Sequence, residues 1–352
     1  MSLLHSHGRR SLRGARVLIT GASSGVGVAA VQAFAAEGAD LALVARGEEG
    51  LHRAARLVKP KGVAAHVFPA DVSDREALDD AIAGAAEALG GIDVLVVNVA
   101  AVVFGPFRDI EPEAFDHVTA VTYTGAVNTV RAALPHLERS HGTIVATGSA
   151  NARAPLPTFA AYSGAKHALR GLLNTLAIEF RADGVPVQIA IVHPGAVDTP
   201  LWRQVTSTSG YLPRTPPLAM PAEQVARKLV EAARDPRPLE RSAGLDSTAL
   251  HWLFELARPV PEALLVALHH WYRGGHVEAP SPGSLWEGVG TGESSGGLLR
   301  RDLRGLLGLA RLPLSLLRGT DPESDVMGAR AVATARSEGL DEGSPEARSA
   351  VG

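Results

Sequence analysis

The chain has 352 residues, of which 46% are hydrophobic, 5% aromatic and 20% charged. It contains no cysteine, which excludes a disulfide scaffold, a thiolate nucleophile and a zinc site with sulfur ligands. Its 34 basic and 37 acidic side chains give a net charge of −3, so no overall basic field favours nucleic acid as a partner. No apolar run is long enough for a signal peptide or a membrane span, and we expect a cytoplasmic protein.

Short apolar runs alternate with longer amphipathic ones from Arg16 to about Pro194. The short runs are rich in Val, Ile and Leu, which is typical of strands buried on both faces, and they span residues 16–20, 41–45, 65–69, 94–98, 143–147 and 187–192. Helices are predicted over residues 26–37, 75–89, 113–137 and 161–181. This rhythm predicts an α/β fold with a Rossmann-like doubly wound parallel sheet, whose ligands bind beyond the carboxyl ends of the strands.

A glycine-rich loop follows the first predicted strand and opens a helix. Glycines at such a place permit a tight turn and bring backbone N–H groups close to a pyrophosphate at the positive end of the helix. A glycine triplet by itself is also compatible with an ordinary turn. Its position in the first βαβ unit favours a dinucleotide site formed by Thr20, Gly21, Ser23, Ser24, Gly25, Val26 and Gly27.

The second predicted strand ends in Val44-Ala45-Arg46. Enzymes that select NAD commonly carry an acidic residue at the end of this strand, where it binds the ribose 2′-hydroxyl. Ala45 leaves that place without an acid, and the Arg46 cation suits a 2′-phosphate. We therefore predict NADP(H) in preference to NAD(H); the competing interpretation is that Arg46 is a solvated surface charge.

Tyr162 and Lys166 are four residues apart in a predicted helix, so the phenol and the ammonium lie on one helix face. An unperturbed tyrosine has a pKa near ~10 and is a poor base at neutral pH, and a neighbouring cation lowers that pKa. Ser149 ends a predicted buried strand, from which its hydroxyl can reach the same carbonyl oxygen. A Tyr-x-x-x-Lys pair alone is usually a surface pair, but together with Ser149 it predicts general acid–base catalysis.

From roughly Arg13 to Arg241 the chain resembles the short-chain dehydrogenase/reductase family. The matching motifs stand in the family's order and are Thr20, Gly21, Gly25 and Gly27, then Asp71-Val72, Asn98, Ser149, Tyr162, Lys166, Pro194-Gly195 and Thr199. The resemblance implies that Asp71, beside Val72, contacts the adenine of a dinucleotide. It also implies that Asn98 stabilises the central strand next to the cofactor.

The same resemblance implies roles for the catalytic residues. Ser149 would orient the substrate oxygen, Tyr162 would exchange its proton, and Lys166 would bind the nicotinamide ribose. The backbone that follows the sixth predicted strand would hold the nicotinamide carboxamide, through Pro194, Gly195, Val197 and Thr199.

Two positions depart from the family's usual pattern. Where the family usually reads Asn-Asn-Ala-Gly, this chain has Val97-Asn98-Val99-Ala100, which adds a methyl group close to the cofactor. Where the family usually has Asn-x-x-Gly, this chain has Thr122-Tyr123-Thr124-Gly125. In the family, that Asn helps to hold a water that links the lysine to solvent. With Thr122 the proton relay is rearranged or slower, or alternatively the threonine γ-oxygen binds the same water.

The substrate pocket is expected between residues 151–159 and the proline-rich loop 199–221. Leu201, Trp202, Tyr211 and Leu212 in that loop favour an apolar substrate. Arg203 and Arg214 either bind a carboxylate or phosphate or face water. The resemblance implies a homodimer or homotetramer that packs through the helices predicted at 113–137 and 161–181.

The length suggests about two domains, but the pattern indicates one domain at 13–272 after a flexible N-terminus at 1–12. Helices are predicted at 222–234 and at 250–272, the latter broken at Pro259 and Pro261. Residues 273–297 are rich in Gly and Ser, and this composition predicts a linker that buries little of its surface. An amphipathic segment is predicted to follow at 298–318, and a disordered tail at 319–352.

The segment 298–318 has an arginine stripe, because Arg300, Arg304, Arg311 and Arg318 fall within about 40° on a helical wheel. Such a helix could contact an anionic membrane surface peripherally, or dock on its own core or a partner subunit. Gly305, Gly308 and Pro313 weaken the helix, so the absence of stable structure is a third alternative. Docking is the interpretation that we favour over membrane contact.

The motifs together predict an NADP-dependent oxidoreductase that interconverts a secondary alcohol and a ketone or aldehyde. The alternative is a catalytically decayed NADP(H)-binding regulator or scaffold, which the unusual Val97 and Thr122 keep open. None of the thirteen histidines stands in a spacing, with nearby carboxylates, that is typical of a zinc helix, so we predict no metal site.

Overall fold

The computed structural model describes residues 10–208, 213, 219–263, 265–266, 283–286 and 292–296. Its strands are β1 (Arg16–Thr20), β2 (Asp40–Ala45), β3 (Ala65–Pro69), β4 (Val94–Val97), β5 (Val103–Phe104), β6 (Thr143–Thr147), β7 (Gln188–Pro194), β8 (Val197–Asp198), β9 (Thr206–Ser207), β10 (Met220–Pro221) and β11 (Glu240–Ala243). Its helices are α1 (Val26–Ala36), α2 (Glu48–Val58), α3 (Arg75–Leu89), α4 (Pro112–Thr119), α5 (Gly125–Ser140), α6 (Ala160–Asp183), α7 (Leu201–Gln204), α8 (Ala222–Arg234) and α9 (Leu245–Ala257).

The central sheet of the described chain is entirely parallel and has the order β11-β7-β6-β4-β1-β2-β3. The chain runs outward from β1 to β3 and then returns to place β4 on the other side of β1. This reversal creates a topological switch point between β1 and β4, where α/β sheets bind their ligands. The predicted doubly wound parallel sheet is confirmed.

Both faces of the sheet are apolar because helices cover both. Val17 and Ile19 of β1 point into a core that α1, α2 and α8 share, whereas Leu18 points into the opposite core, which contains side chains of α3, α5 and α6. Successive residues of a strand face opposite sides, so a strand buried twice shows no hydrophobic alternation in its sequence. This is the physical reason that the strands could be recognised as uniform apolar runs.

Several elements differ from the sequence prediction. The helix predicted at 113–137 is α4 and α5 joined by a wide π-helical turn, Ala120–Thr124. α2 and β11 were not predicted; β11 is a short edge strand, Glu-Arg-Ser-Ala, of which only Ala243 is buried. α9 begins at Leu245, five residues before the predicted start, and ends two residues before Pro259.

The C-terminal predictions fall mostly outside the described residues. These include the segment at 298–318 and the tail at 319–352, and the flexible N-terminus at 1–12 is described only from Arg10. Within the predicted linker, 273–297, the structure differs from the expectation of little burial, because Leu285 is 2% exposed and packs against the domain. No helix in the described ranges is both long and apolar enough to cross a membrane.

We predict opposite effects of two glycine-to-alanine substitutions in helices. A Cβ at Gly27 would lie 1.9 Å from the Gly21 carbonyl oxygen, whereas a Cβ at Gly171 would meet nothing within 4 Å. Gly27→Ala should therefore lower the free energy of unfolding by roughly 1–3 kcal/mol, because backbone must move. Gly171→Ala should raise it by roughly 0.5–1 kcal/mol. Urea unfolding of the two variants measures both effects, and equal stabilities would contradict this packing of the glycine loop.

Candidate active site

The carboxyl ends of the central strands open on a cavity of about 690 Å³. The loops after β1, β2, β4, β6 and β7 supply most of its walls. The residues singled out in the sequence that line it are Gly21, Ser23, Ser24, Gly25, Val26, Arg46, Asp71, Val72, Asn98, Ser149, Tyr162, Lys166, Pro194, Gly195, Val197 and Thr199. Thr20, Gly27 and Thr122 were also singled out, but they lie behind the wall.

Asn98, the residue after β4, connects three strand ends. Its side-chain amide donates to the Gly21 carbonyl at 3.3 Å, and its oxygen accepts from the Thr147 hydroxyl at 2.9 Å. Its backbone N–H donates to the Thr20 hydroxyl, which in turn donates to the Val96 carbonyl. The glycine loop after β1 is thereby held in place relative to β6.

Ser149, Tyr162 and Lys166 meet at one end of the cavity. The Ser149 hydroxyl caps a short 3₁₀ turn by accepting from the Asn151 N–H at 3.1 Å, and it also hydrogen-bonds the Tyr162 side chain. Lys166 Nζ donates to the Thr147 carbonyl at 2.8 Å and lies 5.8 Å from the centre of the Tyr162 ring. Three of the four predicted catalytic residues, Ser149, Tyr162 and Lys166, are therefore brought together.

Burial has the largest effect on the pKa values of Tyr162 and Lys166. Burial raises the pKa of Tyr162 above its usual value of 10, and the hydrogen bond from Ser149 opposes that rise. Burial also lowers the pKa of Lys166 to about 8. The sequence led us to expect a lowered tyrosine pKa; the structure differs because loss of solvent disfavours the phenolate more than the surrounding groups favour it.

Thr122 lies in the π-helical turn between α4 and α5 and has no exposed surface. Its hydroxyl accepts from the Ala101 N–H at 3.0 Å and donates to the Ala101 carbonyl at 3.2 Å. The one proton of this hydroxyl is therefore used in the hydrogen bond to the Ala101 carbonyl. Thr122 therefore braces the loop after β4, and its hydroxyl is not bonded to Ser149, Tyr162 or Lys166.

A partly buried charged cluster near Ser149 was not found from the sequence. Its centre is the Glu240 carboxylate, which accepts from Arg153, Arg170 and Asn174 at 2.5, 2.8 and 2.7 Å. The neighbouring His193, together with Arg170, Asn174 and Arg153, holds the pKa of Glu240 far below its usual range, although burial acts in the opposite direction. The cluster therefore contains a carboxylate whose charge is compensated at every pH where the protein is expected to work.

His193 lies between this cluster and Ser149. The ring is fully buried, with Nδ1 3.0 Å from the Ser149 carbonyl oxygen and Nε2 3.5 Å from a Glu240 oxygen. Burial lowers the pKa of His193, so the ring is neutral at pH 7. The one local signal was a histidine at the end of a buried strand, immediately before Pro194-Gly195; nothing local to the sequence indicated its partner in β11.

Arg46 lies at the opposite end of the cavity from Tyr162. Its guanidinium is 3.7 Å from the Asp71 carboxylate, and Asp71 in turn accepts from the N–H and the hydroxyl of Ser73. Arg46 also donates to backbone carbonyls of residues 284–286. It is therefore a partly buried, hydrogen-bonded cation rather than a freely solvated one.

The wall beside Tyr162 is apolar. Phe159 makes edge-to-face contacts with Phe104 and Trp202, at centroid distances of 5.3 and 6.5 Å. Leu156 and Leu201 line the cavity next to these rings. The expected substrate segments 151–159 and 199–221 both contribute, whereas Tyr211, Leu212 and Arg214 lie outside the described residues.

A sequence model of the family described as short chain dehydrogenase matches residues 15–210. The chain belongs to this family. Glucose 1-dehydrogenase of Gluconobacter oxydans is 35% identical to it over 214 residues, which are 58% of this chain and 80% of that protein. This short-chain dehydrogenase is thus an NAD(P)-dependent oxidoreductase that acts on CH–OH groups.

Two solved structures resemble this short-chain dehydrogenase. An alcohol dehydrogenase from the archaeon Thermococcus sibiricus, complexed with 5-hydroxy-NADP, has 26% identity and a TM-score of 0.55, over 65% of this chain and 95% of that one. A 3-ketoacyl-(acyl-carrier-protein) reductase from Brucella melitensis, complexed with NADH, has 25% identity and a TM-score of 0.58, over 66% of this chain and 97% of that one. One of these neighbours carries an NADP derivative and the other carries NADH.

We predict that Lys166→Met stabilises the fold while it removes a charged group from the site. The fall in the lysine pKa from 10.5 to about 8 corresponds to roughly 3 kcal/mol against the charged form in the folded chain. Loss of the hydrogen bond to Thr147 offsets about 1 kcal/mol. The free energy of unfolding at pH 7 should therefore rise by about 2 kcal/mol, and the melting temperature by a few degrees.

The pH dependence of this gain in stability tests whether it comes from removing the buried charge of Lys166. A lowered folded-state pKa means that the penalty is complete below pH 8 and shrinks as the pH rises toward 10.5, where both states are neutral. Calorimetry between pH 7 and 10.5 should show the advantage of Lys166→Met fading. Lys228→Met, at a lysine whose side chain is 44% exposed, is the control and should change little. A difference between Lys166→Met and the unchanged chain that does not vary with pH would contradict this origin.

Proposed function

We propose that this short-chain dehydrogenase uses NADP(H) to interconvert an alcohol and a carbonyl compound, with Tyr162 as general acid and base. The observation that supports the proposal is one continuous cavity. A hydroxyl, a phenol and a buried ammonium stand at one end of it, and the glycine loop and Arg46 stand toward the other. That arrangement matches a long, phosphorylated cofactor with its reactive ring beside the phenol.

The residues at the phosphate end fit such a cofactor. A Cβ at Gly21 would lie 3.2 Å from the Val99 backbone, so the loop keeps a close cradle that only glycine leaves open. No side chain caps the first turn of α1, and the positive end of this helix suits a pyrophosphate. Asp71 and Val72 would contact the adenine, and Arg46 the 2′-phosphate.

The residues at the other end would hold the nicotinamide half. Lys166 would bind the ribose, and backbone at Pro194, Gly195 and Val197, with Thr199, would hold the carboxamide. When bound, the nicotinamide ring supplies or accepts the hydride. The protein's own residues position the cofactor and the substrate, provide the charge of Lys166, and exchange a proton through Tyr162.

The raised pKa of Tyr162 means that its phenol is protonated at neutral pH. In carbonyl reduction, Tyr162 donates this proton to the substrate oxygen, and the Ser149 hydroxyl donates a hydrogen bond to the same developing oxyanion. Lys166 is charged below pH 8, and its ammonium stabilises the phenolate that remains. In alcohol oxidation the same groups act in reverse order.

The wall beside Tyr162 favours an apolar substrate. Leu156, Phe159, Leu201 and Trp202 surround this end of the cavity, and the Trp202 N–H is already bonded to the Val197 carbonyl. A polar substrate would lose its water contacts there without replacement. We therefore propose a hydrophobic or aromatic ketone and its secondary alcohol. Assembly through the long helices α5 and α6, as a homodimer or homotetramer, and a cytoplasmic location remain predictions.

Tyr162→Phe should lower turnover by roughly 10²–10⁴-fold, because it removes the proton donor. The dissociation constant for NADPH should change by no more than about twofold, because the ring is retained. Turnover is measured by NADPH absorbance on a ketone selected from an apolar panel, and Tyr123→Phe, outside the cavity, is the control. Near-unchanged turnover by Tyr162→Phe would contradict the mechanism. NADPH binding without turnover by the unchanged chain would support a decayed cofactor-binding protein instead.

Arg46→Ala should reduce the preference for NADPH over NADH by roughly 10–100-fold. This factor corresponds to the loss of a hydrogen bond to a charged group, which contributes about 1.5–3 kcal/mol. The quantity to measure is the ratio of the two dissociation constants, since only NADPH carries the 2′-phosphate. Arg56→Ala, at an exposed position of α2, is the matched control and should leave the ratio unchanged. An unchanged ratio for Arg46→Ala would show that Arg46 does not select the phosphate.

A further inference from the structure

Residues 284–286 lie directly on Arg46. The Arg46 guanidinium donates to the carbonyls of Ser284, Leu285 and Trp286 at 3.1, 3.0 and 3.3 Å. These bonds join positions 238 to 240 residues apart in the chain. The donors that the proposed function assigns to the cofactor's 2′-phosphate are therefore used by the protein's own backbone.

Leu285 is anchored in the same region. Its side chain is 2% exposed and belongs to the core that contains Ala70 and Val72, which precede and follow Asp71. Its carbonyl oxygen is 2.8 Å from His117 Nε2, and the His117 and Trp286 rings pack at a centroid distance of 4.6 Å. Leu285 thus lines the cavity together with Asp71 and Val72, the residues that we assign to the adenine.

A second stretch, residues 292–296, lies on the glycine loop. The Gly25 N–H donates to the Glu293 carbonyl at 2.8 Å, and the Gly292 N–H donates to the Ser23 carbonyl at 3.0 Å. Further along, the Ser295 hydroxyl donates to Asp198 at 2.9 Å. A backbone donor of the loop assigned to the pyrophosphate is therefore also bonded within the chain.

The glycines of this segment permit its close approach. A Cβ at Gly283 would lie 2.5 Å from the Gln204 carbonyl oxygen, and a Cβ at Gly296 would lie 2.6 Å from the Thr199 carbonyl oxygen. Ser284 adds two hydrogen bonds to the same Gln204 oxygen, from its N–H and its hydroxyl. Gly and Ser residues are typical of flexible linkers. Because their side chains are small, they also allow this segment to pack closely against residues 199–204.

We propose that residues 283–286 and 292–296 form an autoinhibitory strap that lies along the adenosine and phosphate half of the cleft, bonds the Arg46 and Gly25 donors there, and must leave before a dinucleotide binds. The proposal rests on the proposed function for the assignment of that half. The physical reason is competition for the same groups, because a hydrogen of Arg46 or Gly25 bonded to a strap carbonyl is not available to a phosphate. A phosphate is the stronger acceptor because it is charged, so NADPH can displace the strap.

Competition of this kind has a quantitative signature. If only the strap-free form binds, the apparent dissociation constant equals the intrinsic one divided by the strap-free fraction. Releasing the strap then tightens binding by the same factor for every ligand of this half of the cleft. NADPH, NADH and 2′,5′-ADP should therefore all gain equally.

Leu285→Asp tests this by placing a charge where a buried leucine holds the strap. Calorimetric titration with NADPH, NADH and 2′,5′-ADP should show dissociation constants lowered by at least about tenfold, equally for the three ligands. Leu285→Ala should act in the same direction with a smaller factor. Leu256→Asp, at a leucine of α9 that is 79% exposed, is the matched control and should bind as the unchanged chain does.

Hydrogen exchange on the unchanged chain provides a second measurement that needs no variant to fold. Saturating NADPH should accelerate amide exchange in peptides that cover 283–296. Slower exchange would mean that the strap closes over a bound cofactor, which overturns the proposal. Equal affinities of the Leu285→Asp and unchanged proteins overturn the strap alone, whereas no binding by either protein overturns the proposed function and the strap with it.

Discussion

The parallel pairing of the central strands is the constraint on which the site depends. It brings the carboxyl ends of β1, β4, β6 and β7 to one edge of the sheet, and the Asn98 side chain then joins the glycine loop after β1 to Thr147 at the end of β6. A loop able to bind phosphates and a strand that leads into Ser149 are thereby held at a fixed separation. The cavity between them is a consequence of the topology, since no single element contains both ends of it.

Buried charge is the second constraint, and it is concentrated on α6. Tyr162, Lys166, Arg170 and Asn174 recur every four residues, so they lie along one face of this helix. The first two face the cavity, while the last two bind Glu240, which also binds Arg153. One end of this helical face is stabilised by the ion pair and hydrogen bond to Glu240, and the other carries an ammonium whose pKa burial lowers. The contacts of Arg170 and Asn174 with Glu240 therefore hold α6 in place, although the burial of the charged Lys166 on the same helix lowers the stability of the fold.

The strap that we propose lies along the same cavity. A cleft lined by backbone N–H groups, one arginine and apolar side chains accepts an extended chain of phosphates and rings, but it equally accepts a glycine- and serine-rich peptide with one leucine. Both present oxygen acceptors at intervals and an apolar group for the pocket near Val72. Under this proposal, residues 283–286 and 292–296 lower cofactor affinity by competition, without any change in the residues assigned to the cofactor.

Local patterns in the residues were sufficient for the fold class, most of the strands and the grouping of Ser149, Tyr162 and Lys166. A buried strand, an amphipathic helix and a four-residue spacing are all properties of neighbouring residues, and they can be recognised without knowing what lies across the molecule. The tertiary structure alone decided the rest. Glu240 meets Arg170 across 70 positions, and Arg46 meets Ser284 across 238. The raised pKa of Tyr162, the enclosed Thr122 hydroxyl and the buried Leu285 likewise depend on which distant segments exclude water, and that is settled only when the chain has folded.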